Sequence, residues 1–143
     1  MFAKAFSKED ERLICRLLQS HHQASAIKEP DAFFSIFSPD AIFIGSDDKE
    51  KWTREQLIDI LLNSQSGWDM TECLERYVYP AQNPRIAAFF EVVRHKKYGL
   101  MRGSGVVVRN HLDGWWIVHY VLSFSVPNEV IDNTNVLQLL GQS

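Results

Sequence analysis

The sequence predicts an α+β fold in which one curved sheet packs its concave side against helices. Apolar residues recur at helical spacing through most of the first half of the chain, whereas four long segments with strand-like alternation occupy the second half. Residues typical of turns separate these four segments, as in a run of antiparallel strands. At 143 residues, of which 45% are hydrophobic, the chain is expected to form a single domain over residues 1–143 with one core.

Two helices are predicted before the first strand. The first spans about residues 8–27, because Ser7 and Asp10 form a pattern like a capping box and apolar residues follow at helical spacing. These residues are Leu13, Ile14, Leu17, Leu18, Ala24 and Ile27. A short second helix begins around Pro30, a residue favoured in a first turn, and ends at Ser38-Pro39-Asp40.

A short strand and a third helix come next. Residues 41–45 are mostly apolar and predict a strand, and a charged turn follows them. Thr53 and Gln56 form a second capping box, which begins a helix that reaches about Asn63.

Four strands complete the predicted sheet, at residues 68–79, 84–96, 99–110 and 115–125. Lys97-Tyr98 and residues 110–114 are predicted to be the turns of two successive hairpins. Beyond Pro127, residues 136–140 are compatible with either a short helix or a docked strand.

The strand at residues 99–110 has the composition of a pocket wall. Alternation places Arg102 and Ser104 on one face with two valines, while Gly103 and Gly105 lie on the other. Glycine inside a strand costs stability and typically marks a bend, a bulge or the close approach of another group. An Arg and a Ser on a face that continues into valines therefore predict a strand that runs from a wet cavity into a dry core.

Hairpin geometry then predicts a row of polar side chains across three strands. If Lys97-Tyr98 is the turn, Glu91 lies opposite Ser104, and the next loop places Ser104 opposite His119. Directly opposed Cβ atoms lie about 5 Å apart, and Arg102 lies one diagonal step away. A register slip of one residue would break this row.

These side chains suggest both chemistry and recognition. His119 is the candidate catalytic acid or base because an unperturbed imidazole titrates near pH ~6.5, and Glu91 would orient it or exchange a proton itself. Arg102 and Ser104 would bind a polar group of a largely apolar ligand, and Trp68 and Trp115 would line the pocket. Three alternatives stay open: catalysis, ligand binding without turnover, and a buried polar network that only stabilises the core.

The last predicted strand indicates a homodimer. Alternation places five large apolar residues on the face turned away from the pocket, namely Trp116, Val118, Tyr120, Leu122 and Phe124. A monomer rarely exposes that much contiguous apolar surface, so the outer face of the sheet is expected to pair with a second copy of the chain.

Composition excludes other classes of partner and site. The net charge of −3, without a stripe of Lys or Arg, argues against nucleic acid, and no apolar segment reaches the ~20 residues of a membrane span. The histidines outside the row lack the spacing of metal ligands and are predicted to lie on the surface; they are His21, His22, His95 and His111. We therefore expect no metal and no organic cofactor. Two cysteines outside any disulfide framework, without the apolar stretch of a signal peptide, predict a cytoplasmic protein.

Several local motifs resemble one known family. They are Ala41 to Gly45, Glu50-Lys51-Trp52, Trp68, Ala88 to Glu91, Tyr98-Gly99 with Arg102 to Gly105, Trp115 to Tyr120, and Pro127-Asn128-Glu129. In this order they resemble the SnoaL-like proteins of the nuclear-transport-factor-2-like superfamily, which also contains ketosteroid isomerase. The resemblance implies a cone with an internal pocket for a small molecule, and homodimers are common in that family. It does not decide between isomerase, cyclase, dehydratase or hydrolase chemistry and non-enzymatic binding.

The chain departs from the ketosteroid isomerase pattern at two places. Those enzymes carry a carboxylate base near the end of the first strand, where this sequence has Ile44-Gly45. They also carry an oxyanion-binding Tyr on the first helix, and the first predicted helix here contains no Tyr. The Asp/His pair of the polyketide cyclases has no clear counterpart Asp. The resemblance therefore implies acid–base chemistry on a carbonyl compound, or a binding or scaffold role, without the isomerase residues.

Overall fold

The computed structural model describes residues 4–64 and 68–141, and these residues form the predicted α+β fold. The helices are α1 (Lys8–Ile27), α2 (Pro30–Ile36), α3 (Arg54–Asn63), α4 (Asn128–Ile131) and α5 (Thr134–Leu140). The strands are β1 (Phe37–Ile44), β2 (Lys51–Thr53), β3 (Met70–Pro80), β4 (Ile86–His95), β5 (Gly99–Arg109) and β6 (Trp115–Phe124). Of the two alternatives for residues 136–140, the helix is the one that forms.

Local sequence signals determine where the helices begin. Ser7 and Asp10 form a complete capping box at the start of α1, and Thr53 and Gln56 form another at the start of α3. Each box satisfies backbone N–H groups that have no partner inside the helix. Helix α1 ends at Lys28, whose left-handed φ of 57° stops the helical ladder.

The six strands form one mixed sheet in the order β2-β1-β6-β5-β4-β3. Strand β1 runs parallel to β6, and every other neighbouring pair is antiparallel. Strand β2 was expected to be part of a charged turn. Its three residues are too few for alternation to be visible in the sequence.

The predicted register between β4 and β5 is wrong by one residue. His95 pairs with Gly99, so the turn contains the three residues 96–98 rather than Lys97-Tyr98 alone. Gly99 adopts a φ of 76°, which glycine tolerates at no steric cost. Glu91 consequently lies opposite Gly103 instead of Ser104. Because side chains alternate, the slip places Arg102 and Ser104 on the convex face and Glu91 on the concave face.

A β-bulge makes the inward and outward faces of β6 differ from the predicted ones. Val106 pairs with His119, but Val107 pairs with Ile117, so Val118 is an extra residue in the ladder. A Cβ at Gly105 would collide with the carbonyl oxygen of His119, which shows why the strands can approach here only at a glycine.

The bulge also divides the predicted apolar stripe between the two faces of the sheet. Tyr120 and Leu122 lie inside, at 1% and 4% exposure, whereas Trp116 and Val118 are half-buried. The prediction that all five apolar residues of β6 face outward is therefore wrong.

The hydrophobic core lies between the helices and the concave face of the sheet. Its fully buried members come from both layers and include Ile14, Leu18, Phe33, Phe37, Val93, Met101, Val107 and Ile117. Cys15 and Cys73 are free, as predicted, and both are half-buried. Among the helices that the structure describes, none is long and apolar enough to cross a membrane.

A buried ion pair fastens the start of α1 to the sheet. Arg109 on β5 donates from both terminal nitrogens to the two carboxylate oxygens of Asp10, each at 2.8 Å. The indole nitrogen of Trp115 donates to the same carboxylate at 3.2 Å. The hydrogen bonds from Arg109, together with those from Ser7 and Trp115, outweigh burial and hold the pKa of Asp10 well below its usual range.

Candidate functional site

A cavity of about 350 Å³ lies between the helices and the concave face of the sheet. Most of its wall is aromatic and aliphatic, with contributions from Phe33, Phe43, Trp52, Leu57, Leu61, Trp68 and Leu122. The polar side chains in the wall include His21, His22, Ser25, Glu50, His95, Lys97 and Tyr120. A concave apolar site with a few converging polar groups is typical of small-molecule recognition.

Behind this wall lies Glu91, a carboxylate with no exposed surface. Its Oε1 lies 2.6 Å from Nε2 of His22 and accepts a hydrogen bond from the Tyr120 hydroxyl at 2.7 Å. Its Oε2 accepts from Nε of Arg76 at 2.9 Å. A buried carboxylate needs such partners, because an unpaired buried charge is very costly.

Three elements bring the donors to Glu91. Arg76 is its direct partner across the β3–β4 ladder. Tyr120 reaches it from β6 over Gly103, where a Cβ would collide with the tyrosine hydroxyl. His22 comes from α1, on the same helical face as the buried Ile14 and Leu18. The site is therefore held between one helix and four adjacent strands.

The electrostatics of the site keep Glu91 ionised. Burial alone would raise the pKa of Glu91, but the hydrogen bond and charge of His22, with Arg76 and Tyr120, lower it to about 2. The same contacts affect Tyr120, since burial and the Glu91 charge raise the pKa of its hydroxyl well above the usual value. Tyr120 therefore serves as a hydrogen-bond donor at neutral pH, and Glu91 as an anion that orients its donors.

His21 lies beside His22, with the ring centroids 5.0 Å apart, and packs on Phe33, Phe37, Phe43 and Tyr120. Burial, and then the neighbouring His22, lower the pKa of His21 to about 3. It is consequently a neutral imidazole in the cavity wall. Nδ1 of His21 and Nδ1 of His22 are both buried and have no hydrogen-bond partner among the described residues.

A second polar side chain, that of His95, lies at the C-terminal end of β4. His95 lines the cavity four residues beyond Glu91, which is about 13 Å along an extended strand. Its ring packs on Trp68 with a centroid distance of 4.1 Å and on Tyr98 at 4.9 Å. Lys97 and Tyr98 are exposed and also line the cavity, so this end opens to solvent.

The structure does not bring the predicted row together. Glu91 lies on the concave side, as expected, but Arg102 and Ser104 lie on the convex side, where Arg102 packs on the ring of Phe90. His119 lies at the bulge, is half-buried, and its Nδ1 is 3.2 Å from the carbonyl oxygen of Ile42. The predicted contacts of Glu91 with Arg102, Ser104 and His119 are therefore wrong.

The two predicted tryptophans lie in different places. Trp68 lines the cavity, whereas Trp115 is a core residue that binds Asp10 and packs on Phe6 and Arg109.

Sequence reasoning missed His22, Tyr120 and Arg76. His21, His22 and His95 were expected at the surface, and all three are buried. Helical spacing could have placed His22 inside, because it follows Ile14 and Leu18 at intervals of four residues. His111 is exposed, as predicted. Among the described residues, no group of three or more His, Cys, Asp or Glu side chains could hold a metal ion.

Solved structures share this fold at low sequence identity. A nuclear-transport-factor-2-like protein of unknown function from Pseudomonas putida is 14% identical, with a TM-score of 0.69, and the match covers 87% of this chain and 93% of that one. Another such protein, from Cytophaga hutchinsonii, is 10% identical with a TM-score of 0.68 over 80% of this chain and 98% of that one.

A candidate ketosteroid isomerase from Parabacteroides distasonis is 22% identical, with a TM-score of 0.65 over 90% of this chain and 97% of that one. No curated protein matches the chain. The sequence profile of the SnoaL-like domain matches residues 14–127, which include the last 14 residues of α1 and all six strands. The chain therefore belongs to the SnoaL-like family, and it shares its fold with nuclear-transport-factor-2-like proteins.

Proposed function

We propose that the protein binds a small, largely apolar, carbonyl-containing molecule in the cavity and performs acid–base chemistry on it. One observation carries this proposal: an apolar cavity of about 350 Å³ has His22 in its wall, hydrogen-bonded to a fully buried and ionised Glu91. A histidine oriented by a buried carboxylate is a recurrent proton-transfer device, because the carboxylate fixes the ring and stabilises the imidazolium that forms.

The proposed proton transfer uses the two nitrogens of His22 differently. Nε2 faces Glu91 at 2.6 Å and, in the proposed tautomer, donates a hydrogen bond to that ionised carboxylate. Nδ1 then carries a lone pair, and it has no hydrogen-bond partner among the described residues. Because Nδ1 is buried, the ligand would have to displace the side chains that cover it; Nδ1 would then accept a proton from the carbon next to the ligand carbonyl and return it to the product. Tyr120 and Arg76 would keep Glu91 ionised throughout.

Glu91 is retained as the residue that positions His22, and Trp68 is retained as a ligand-binding wall. His22 replaces His119 as the acid–base residue. Arg102, Ser104, His119 and Trp115 have no part in the proposed site, because their side chains do not line the cavity.

Exchange of carbon-bound hydrogen tests this proposal directly. Incubation of 2-acetylnaphthalene with the protein in deuterated buffer should exchange the methyl hydrogens faster than buffer alone, as followed by proton NMR. His22→Gln should remove this acceleration, and His111→Gln, a change at an exposed histidine, should retain it. If the ketone binds without exchange, the alternative function, a binding protein without turnover, replaces catalysis.

The convex face of the sheet supports the further proposal of a homodimer. A row of directly opposed residues crosses four strands there, namely Tyr77, Phe90, Ser104 and Val121. Tyr77 stacks on Phe90 at 6.2 Å yet remains 49% exposed, and Tyr79 is 55% exposed. An apolar face of this extent favours a self-complementary interface. The dimer would thus use residues from four strands rather than the single stripe on β6.

Sedimentation at micromolar concentration should give about twice the chain mass. Tyr77→Glu should shift the protein toward monomer, because it places a charge in the proposed interface. Leu112→Glu is the matched control, since Leu112 lies in the β5–β6 turn and is 78% exposed. A wild-type protein that sediments as a monomer would overturn the dimer.

A further inference from the structure

The turn between β4 and β5 holds His95 in one tautomer. Nδ1 of His95 accepts the backbone N–H of Lys97 at 3.0 Å and that of Tyr98 at 3.2 Å. A nitrogen that accepts two hydrogen bonds carries no proton, so the proton of the neutral ring lies on Nε2. The backbone of the turn therefore makes Nε2–H a fixed donor.

This donor is unused by the protein. His95 is 8% exposed and lines the cavity, and Nε2 makes no hydrogen bond within the described part of the chain. Because His95 lines the cavity near its opening, this N–H is available to donate to a bound ligand. Burial also lowers the pKa of His95, which agrees with a neutral ring.

Aromatic rings and one cation surround His95. Trp68 packs on its ring and stacks on Tyr98 at 6.0 Å with an interplanar angle of 23°. The ammonium group of Lys97 lies 5.2 Å from the centre of the Tyr98 ring, and both residues line the cavity. Two carboxylates lie in this region: Asp69, whose charge acts on His95, and Glu50 in the cavity wall, which accepts the N–H of Asp47.

We propose that His95, Lys97, Tyr98 and Trp68 form an outer subsite that binds the carboxylate of an elongated aromatic acid. Nε2–H of His95 would donate to one carboxylate oxygen, Lys97 would neutralise the charge, and Trp68 would stack on the adjoining ring. This inference rests on the proposed function. It adds that the natural ligand has an acidic end near solvent and an apolar body that extends toward His22.

The distance along β4 supports an elongated ligand. Glu91 and His95 are separated by four residues on one strand, and both point to the concave side. Glu91 and His95 are therefore about 13 Å apart along the strand, and the cavity is lined both by His95 and by His22 and Tyr120, which contact Glu91. A ligand that contacts both His95 and His22 needs a rigid body of about two fused or linked rings.

Calorimetric titration with three matched probes tests the subsite: 2-naphthoate, 2-acetylnaphthalene and 2-ethylnaphthalene. These share one ring system and differ in offering a carboxylate, a neutral carbonyl or no acceptor. We expect 2-naphthoate to bind about tenfold more tightly than the ketone or 2-ethylnaphthalene, because only the carboxylate can form the charge-assisted hydrogen bond, which contributes about that factor.

Variants separate the contributions of the two donors. Lys97→Met should remove the advantage of the carboxylate over the ketone, whereas Lys96→Met, at the exposed neighbour that does not line the cavity, should leave it unchanged. In His95→Asn the amide oxygen can still accept the N–H groups of the turn, but no donor reaches the position of Nε2. This variant should weaken the binding of 2-naphthoate several-fold and spare 2-ethylnaphthalene and 2-acetylnaphthalene, whose carbonyl lies beside His22 in the proposed function.

The outcomes distinguish the subsite from the cavity that it extends. Equal affinity of wild-type protein for 2-naphthoate and 2-ethylnaphthalene would overturn the subsite while leaving apolar binding intact. An unchanged preference for the carboxylate in both Lys97→Met and His95→Asn would overturn it as well. If none of the three probes binds, both the proposed binding function and the subsite are wrong.

Discussion

The hydroxyl of Tyr120 lies over the α-carbon of Gly103, in the space that a Cβ would occupy. From there it donates a hydrogen bond of 2.7 Å to Glu91, which is the cross-strand partner of Gly103. The glycine in β5 is therefore what lets a tyrosine from β6 reach a carboxylate on β4. The polar contacts of the proposed site depend on this missing side chain.

Gly103→Ala should consequently destabilise the fold by about 1–3 kcal/mol, because overpacking displaces the Tyr120 ring and leaves Glu91 with one donor fewer. Urea unfolding measures the loss. Gly114→Ala is the control, since its Cβ would approach only the flexible amide of Asn110, at 3.2 Å. Equal losses of unfolding free energy in the two variants would show that the contact of Tyr120 above Gly103 does not contribute to stability as proposed.

Arg76 and Glu91 should be strongly coupled. Arg76→Ala removes a partner of a fully buried carboxylate and should lower the free energy of unfolding by about 3 kcal/mol. The double variant Arg76→Ala, Glu91→Ala should lose much less than the sum of the losses in the two single variants. Arg102→Ala provides the comparison, because Arg102 lies on the opposite face and should be additive with Glu91→Ala. Additive losses for Arg76 and Glu91 would contradict the network.

His21 should make stability depend on pH. Burial lowers its pKa from 6.5 to about 3 in the folded protein, so the unfolded chain binds a proton that the folded protein does not. The contribution of His21 to the free energy of unfolding is therefore constant above pH 6.5 and falls as the pH decreases from 6.5 toward 3. The expected slope is about 1 kcal/mol per pH unit in the upper part of this range.

Unfolding of His21→Leu across the same pH range isolates this effect. In this variant the free energy of unfolding should change less with pH between 6.5 and 4.5, which are the usual pKa values of His and Glu. Below pH 4.5 the titration of Glu91 also contributes. His111→Gln, at an exposed histidine, should keep the wild-type slope. A His21→Leu profile as steep as that of the wild type would show that another group causes the dependence.

The buried ion pair of Asp10 and Arg109 should stabilise the fold more than the exposed pair of Arg12 and Glu9. Asp10→Asn removes the charge that faces Arg109 and weakens the cap of α1, so we expect a loss of about 3 kcal/mol in thermal or urea unfolding. Arg12→Ala breaks the exposed pair with Glu9 and should cost less than about 0.5 kcal/mol. Similar losses in both variants would contradict the role assigned to burial.

The sequence predicted the elements of this fold well, because each depends on local signals. Capping boxes at Ser7 and Thr53 and the turn residues 110–114 act over a few positions, and all occur as expected. The resemblance to the SnoaL-like family was correct for the same reason, since its motifs follow those elements in order.

The candidate site was predicted less well, because it depends on register. A turn of three residues instead of two exchanged Ser104 for Gly103 opposite Glu91, and one extra residue at Val118 turned Tyr120 inward. Neither turn length nor bulge position can be read from periodicity, and each reverses every side chain that follows. Glu91 itself was identified from the sequence, but none of its partners His22, Tyr120 and Arg76 was.

Nitrogen-detected NMR of the histidine rings, titrated with 2-acetylnaphthalene, tests the central claim most directly. If the cavity binds the ketone beside His22, the ring nitrogens of His21 and His22 should shift in proportion to occupancy. Those of His111, in the exposed turn, and His119, at the bulge, should stay unchanged. Shifts confined to His111 or His119, or no shift at saturating ketone, would contradict the proposed site.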